Sequence, residues 1–199
     1  LKKADDRFEI NSLVGKQINQ FWNYSSFFNF KTQLLPGFKY YKEEGIEMRD
    51  KVSRLLSPAI VQAGLGFYYK KSNDMWVNLS PISARIIVVS KKFTEDLVDG
   101  AKYFGVERDK SSKFFFGALV SGFFKTEIME NIIWENKYSF YVNYLEKTQN
   151  IDFDWNANLR FKVNTKISGN FILHLLYDDD LIGKLQVREL LGLGINIDL

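Results

Sequence analysis

Apolar and polar residues alternate with a period of two along most of this chain, often for ten residues or more, which predicts strands rather than helices. From Ile151 to Asn164 every position obeys the alternation. Ile151, Phe153, Trp155, Ala157, Leu159, Phe161 and Val163 lie on one side, and Asp152, Asp154, Asn156, Asn158, Arg160, Lys162 and Asn164 on the other. Between Trp22 and Leu34 the set Trp22, Tyr24, Phe28, Phe30 and Leu34 opposes Asn23, Ser25, Asn29, Lys31 and Gln33. Between Ile132 and Tyr144 an apolar set (Ile132, Trp134, Tyr138, Phe140, Val142, Tyr144) opposes Glu135, Lys137, Ser139 and Asn143. Leu191, Leu193, Ile195, Ile197 and Leu199 alternate with Gly192, Gly194, Asn196 and Asp198. Weaker alternation begins at Phe8, Ala59, Met75, Phe114 and Phe171, which brings the expectation to nine strands. One short helix fits inside Lys92–Phe104, with Leu97, Ala101 and Phe104 on one face.

The connections alternate in length. Short turns fall around residues 18–21, 71–74, 127–131 and 164–168, and longer polar segments at Pro36–Ser57, Ser90–Ser112, Leu145–Asn150 and Asp178–Leu185. Short turns at one end, long loops at the other and strands of about 9–11 residues are the pattern of an outer-membrane barrel. Aromatic residues gather near strand ends on the apolar side, Trp22, Tyr69 and Trp134 towards the short turns and Phe30, Phe153 and Tyr177 towards the loops. The expected fold is therefore all-β, an antiparallel up-and-down transmembrane β-barrel with about 9 strands in this chain. An odd count does not suit a closed bacterial barrel. The chain also starts at Leu1-Lys2-Lys3 without Met, so residues 1–199 are expected to form one barrel domain lacking its N-terminal strands.

Composition narrows the alternatives. The 199 residues are 46% hydrophobic and 26% charged, with 18 Phe, 10 Tyr, 4 Trp and no Cys. Disordered, collagen-like and disulfide-stapled classes are excluded. No run approaches the ~18 consecutive apolar residues of a spanning helix. A mean hydropathy of −0.20 suits a soluble domain and also the average of a lipid face and a polar lumen. A net charge of +3, evenly spread, does not argue for nucleic acid.

Specific segments add a resemblance. They are Phe30-Lys31-Thr32-Gln33 leading to Pro36-Gly37, then Ser57-Pro58-Ala59 with Gly64-Leu65-Gly66, and Leu79-Ser80-Pro81. Glu127-Ile128-Met129-Glu130-Asn131, Tyr144-Leu145, Gln149-Asn150-Ile151-Asp152, Tyr177-Asp178-Asp179-Asp180 and Glu189-Leu190-Leu191-Gly192-Leu193-Gly194 follow in order. In these the chain resembles an uncharacterised Bacteroidota family, a domain of unknown function regarded as outer-membrane β-barrels. The resemblance implies about twelve strands in the complete protein and brings no known activity. The chain departs from the family in a short loop after Asp180 and in ending at Leu199 rather than an aromatic residue.

Candidate chemistry lies on the polar side. Asn29, Lys31, Gln62, Glu135, Lys137, Asp154, Arg160, His174 and Arg188 would face the lumen, able to line a narrow solute path. Phe27, Phe115, Phe123 and Tyr141 on the same side favour a filled interior instead. His174 is the single histidine; with Ser139 or Ser121 it offers a hydrolase alternative, although nothing marks either serine as activated. Asp178-Asp179-Asp180 with Glu189 supplies hard oxygen ligands for Ca²⁺ but lacks a calcium-loop glycine, so a solvated loop is the simpler reading. Gly64-Leu65-Gly66 and Gly192-Leu193-Gly194 precede no helix and are not phosphate loops.

The leading expectation is an integral outer-membrane β-barrel, non-enzymatic and without cofactor or metal. It would act as a subunit of a larger outer-membrane complex or as a narrow small-solute pore. Its partners would be the lipid bilayer, lipopolysaccharide and envelope proteins, with no nucleic acid. The alternatives are an outer-membrane hydrolase using His174 and a soluble β-barrel binding an apolar ligand.

Overall fold

The computed structural model describes residues 6, 8–43, 45–164, 166–179 and 183–195. Thirteen strands follow in chain order: β1 (Phe8–Gln17), β2 (Trp22–Thr32), β3 (Gly37–Glu43), β4 (Ile46–Ser53), β5 (Ala59–Ser72), β6 (Met75–Val88), β7 (Lys102–Tyr103), β8 (Val106–Glu107), β9 (Ser112–Met129), β10 (Ile132–Asn143), β11 (Ile151–Lys162), β12 (Ile167–Tyr177) and β13 (Gln186–Ile195). Nine of them form one sheet, in the order β1-β2-β5-β6-β9-β10-β11-β12-β13, and β3-β4 and β7-β8 form two-stranded ribbons. The all-β expectation holds, and nine long strands follow in the expected order, although the eighth starts at Ile167 rather than Phe171 and the last at Gln186 rather than Leu191. Ile197 and Leu199, expected at the end of the last strand, lie outside the described residues, as do Leu1–Asp5.

The closed barrel does not form. The sheet order is linear and, among the described residues, no ladder joins β1 to β13. Strand direction gives the physical reason. The ladders β9–β10, β10–β11, β11–β12 and β12–β13 are antiparallel. The earlier strands also run up and down: Lys70 near the end of β5 bonds Phe21 before β2, and Val89 after β6 bonds Ser111 before β9. With nine alternating strands the two edges point the same way, so closing the sheet on itself would require a parallel β1–β13 ladder. Bacterial up-and-down barrels avoid that pairing by using an even number of strands. With no closed wall there is no lumen, so the pore reading is withdrawn, and so is the soluble barrel with a ligand in its core.

Two further expectations change. The segment Lys92–Phe104 is not a helix: a single 3₁₀ turn spans Lys91–Phe93, and the β7-β8 ribbon takes up part of the rest. The strand expected to begin with Met75, Val77 and Leu79 is β6, which runs on to Val88 with its alternation slipping by one residue on the way. Ser80 and Ser83 are both buried while Pro81 and Ile82 between them are both exposed. Glycine is needed at Gly66 and Gly117, where an added Cβ would run into the backbone carbonyls of Leu79 and Val142. Close strand approach is therefore the role of the Gly64-Leu65-Gly66 run.

The chain condenses into two compact units. Unit 1 is built from the residues up to Val14, Ser26–Gly64 and Ser83–Phe116, and unit 2 from Gly15–Ser25, Leu65–Ile82 and the residues from Gly117 onward. Unit 1 buries Ala59, Ile87, Val89, Val106 and Phe115, an ordinary if small apolar core. Unit 2 buries mainly polar groups, among them Ser25, Asn78, Ser80, Asn136 and Asn143.

Candidate functional site

In unit 2 the register assembles one polar face from β9 to β13. Lys125 lies opposite Glu135, Phe123 opposite Lys137, and Ser121 opposite Ser139. Lys137 then pairs with Asn156 and Ser139 with Asp154. Asn156 pairs with His174, and His174 with Arg188. Cross-strand neighbours on one face are within reach of one another, and several join. Arg160 forms an ion pair with Glu135, and Lys125 reaches Asp74 at 3.6 Å. His174 Nε2 lies 2.8 Å from Asp154 Oδ1. Deeper in the same unit, Ser25 Oγ donates to Asn78 Oδ1 at 2.8 Å and Asn78 Nδ2 donates to Ser80 Oγ at 3.0 Å.

Of the expected polar residues, the fold thus gathers Glu135, Lys137, Asp154, Arg160, His174 and Arg188 on unit 2's sheet. Asn29, Lys31 and Gln62 belong to unit 1. There Asn29 Nδ2 donates to Glu9 Oε1 at 2.9 Å, Gln62 Nε2 to Ser83 Oγ at 3.4 Å, and Lys31 is half-buried on β2. Phe123 stacks on Trp76 with ring centroids 6.3 Å apart, and Phe115 and Tyr141 are buried.

This layout does not make a Ser–His–carboxylate triad of His174 with Ser139 or Ser121. A Ser–His–carboxylate triad needs the imidazole between nucleophile and carboxylate. Here the ladder order is Ser139 on β10, Asp154 on β11 and His174 on β12, so the carboxylate lies in the middle. Two strand spacings, roughly 10 Å, separate the serine's strand from the histidine's. Ser121 is one strand further away.

The acidic run does not gather into a cation site. Asp178 is buried, and Asp180 lies outside the described residues. Asp179 is engaged: Lys147 Nζ approaches its Oδ2 at 2.7 Å, and its backbone N–H donates to Asp152 Oδ1 at 3.0 Å. The hydrogen bond from Lys147, and next that of Asn150, hold its carboxyl below the usual aspartate range. Glu189 sits opposite Leu173, on the apolar side of the sheet and away from the run. Among the described residues no group of three His, Cys, Asp or Glu side chains is placed to hold a metal.

The other face of the same strands is apolar and uncovered. Tyr138 lies opposite Trp155, Phe140 opposite Phe153, Leu159 opposite Phe171 and Phe171 opposite Leu191. Rings meet along it, Phe140 with Phe153 at 6.5 Å and Phe153 with Tyr177 at 6.1 Å. Trp22 with Tyr69, at 5.2 Å, is a further apolar-side pair in the unit. At the β13 edge Leu191, Leu193 and Ile195 remain 71%, 76% and 75% exposed. Scattered exposed apolar residues are ordinary on a protein surface, whereas neighbouring ones on one face call for an explanation.

Unit 1 holds a feature that the alternation did not single out. The long segment between β2 and β5 folds into the β3-β4 ribbon, turning at Gly45, whose φ is 84°. Tyr103 fastens it by donating its hydroxyl to the Val52 carbonyl; burial pushes that phenol's pKa up to about 12. Beyond β4, Arg54 and Ser57 exchange backbone hydrogen bonds of 3.0 and 2.9 Å around the tip residues Leu55 and Leu56. Ser57 Oγ in turn accepts from the Ser90 N–H at 2.7 Å. Beside this tip lies an open concavity of about 590 Å³. The signal in the sequence is the pair Leu55-Leu56 close behind Lys51 and Arg54, a local cluster that period-two reading passes over.

Comparison with known proteins reaches part of the chain. A family described as "Protein of unknown function (DUF3078)" matches residues 1–38, a segment that includes β1 and β2. No curated protein and no solved structure matches.

Proposed function

We propose that this chain is a non-enzymatic, lipid-contacting β-sheet protein of the bacterial outer membrane. In this reading the apolar face of unit 2 rests against acyl chains, and the polar face and loops meet water, lipopolysaccharide and envelope proteins. The observation that carries it is the uncovered apolar face from Trp134 and Phe140 on β10 to Leu191, Leu193 and Ile195 on β13. Removing such side chains from water is worth about 1.5–3 kcal/mol each at full burial, and acyl chains can supply that along the whole face. The edges β1 and β13 carry backbone groups that hydrocarbon does not satisfy, so each edge meets water or a strand of a protein partner. Kinship with uncharacterised Bacteroidota envelope proteins belongs to the same proposal, supported over residues 1–38 by the family match. The separation of Ser139 from His174 by Asp154's strand supports the non-enzymatic part.

The test resolves the two faces. Single-tryptophan variants keep either Trp134, on the apolar face, or Trp76, which stacks on Phe123 of the polar face. In vesicles with brominated acyl chains, Trp134 fluorescence should be quenched severalfold more than that of Trp76. Equal quenching of the two, or none of Trp134, would refute the lipid-contact reading.

A further inference from the structure

The concavity in unit 1 is lined by Leu34, Leu55, Leu56 and Val88, with Lys51 and Arg54 among them. No lining residue among those described is acidic. Lys51 and Arg54 are exposed, and neither makes an ion pair among the described residues. The apolar part is equally unspent, since Leu55 and Leu56 are 54% and 52% exposed. Leu56 also has a φ of 58°, in the left-handed region. For a leucine that conformation costs roughly 1–2 kcal/mol relative to a residue suited to it. A tight two-residue tip would be met more cheaply by Asn or Gly. Two exposed leucines therefore occupy a strained tip, with cations beside them that form no ion pair among the described residues and a concavity to receive a chain.

From this combination we infer that unit 1 binds an anionic amphiphile, a lipid with an acidic head group, its acyl chain against Leu55, Leu56 and Leu34 and its head on Lys51 and Arg54. Charge complementarity selects the ligand class: apolar walls alone would take any acyl chain, and cations alone any small anion. Arg offers a fork of donors matched to phosphate and carboxylate oxygens, and Lys adds a second charge. The inference uses unit 1 residues only and goes beyond the contact proposed for the sheet face of unit 2. Either can fail while the other stands.

The experiment is native mass spectrometry of the full chain released from a non-ionic detergent. The titrants are dioctanoyl-phosphatidylglycerol, dioctanoyl-phosphatidylcholine and inorganic phosphate. Phosphatidylglycerol adducts should persist, with affinity at least severalfold above that for phosphatidylcholine and with phosphate alone not retained. The double variant Lys51→Gln/Arg54→Gln should lower phosphatidylglycerol affinity about tenfold or more, as two interfacial cations do. Leu56→Gly should weaken binding while raising the denaturation midpoint, since it removes the ligand surface and the strain together. That opposite pair of signs separates a binding role from a structural one. Equal binding of the two lipids, retention of phosphate alone, or unchanged affinity in either variant would overturn the inference. Trp134 quenching by brominated chains does not depend on these residues, so failure here is distinguishable from failure of the sheet-face reading.

Discussion

The two units bury different mixtures of side chain. Unit 1 hides Phe115, Val106, Ile87 and Val89 and so resembles a small water-soluble core. Unit 2 hides Ser25, Asn78, Ser80 and Asn143 and only Leu119, Tyr141 and Ala157 among its described apolar residues, while Trp134, Phe140, Phe171, Leu191 and Leu193 are exposed on its apolar face. A sheet with one apolar face commonly turns it onto a core. In unit 2 nothing among the described residues covers that face, and the interior is held by ladders and by hydrogen bonds between polar side chains. The hydrophobic effect therefore has a fully buried aromatic to act on in unit 1, Phe115, whereas in unit 2 most large apolar side chains keep surface that only a partner against the sheet would remove.

The sharpest way to break this contrast is to truncate a phenylalanine in each unit. Phe115 is fully buried and carries two cations on its ring, Arg85 at 4.6 Å and Lys113 at 5.0 Å. Phe115→Ala should cost about 3–5 kcal/mol, the range for a deleted core aromatic. Phe140, 42% exposed on unit 2's apolar face, should lose under about 1 kcal/mol as Phe140→Ala in lipid-free conditions. Urea unfolding of the two variants measures the difference. Similar losses would mean that the Phe140 face is covered after all.

The polar interior of unit 2 is the next test. Asn78 accepts from Ser25 and donates to Ser80, all three being buried. Asn78→Ala strands both hydroxyls at once, and each unsatisfied buried group costs about 1–3 kcal/mol. A loss of about 2–3 kcal/mol in the same urea assay is expected. A loss below about 1 kcal/mol would show that water takes over these partners and that the network does not hold the unit together.

The nine long strands were legible because β11 alternates without interruption and the others alternate over much of their length, and period two is the primary local signal a strand carries. Closure was not legible. Alternation states which face of Phe153 or Asp154 is apolar but not what faces it, and strand length is shared by barrels and large open sheets. The odd strand count is visible in the sequence, but it is reconciled with a barrel by expecting further strands, and the linear order from β1 to β13 is what overturns closure. The β3-β4 ribbon was missed because its charges, from Lys39 to Lys51, read as a solvated loop, and the far half of β6 went unread because the alternation slips at Pro81-Ile82. Among the polar residues, alternation put Asp154 and His174 on the same side correctly. That Asp154 lies between His174 and Ser139 is a fact of strand order, which a one-dimensional pattern does not contain.

The smallest expected effect concerns pH and the Asp179 anchor in unit 2. Lys147 holds the folded-state pKa of Asp179 below its unfolded value, which is about 3.9 for a free aspartate. A depressed carboxyl stabilises the fold fully above the unfolded pKa, and the contribution disappears as pH falls through the folded one. Lys147 is 61% exposed, so the effect should stay under about 1 kcal/mol. Between pH 6 and pH 3 the urea midpoint of Lys147→Met should therefore fall slightly less than that of the parent chain. Adding salt at pH 6 should narrow the gap between the two, because the pair is screened. If Lys147→Met falls as steeply as the parent, the anchor rests on the hydrogen bonds of Asp179 to Tyr177 and Asp152 rather than on charge. In that case the contrast with unit 1 would be one of polar packing alone.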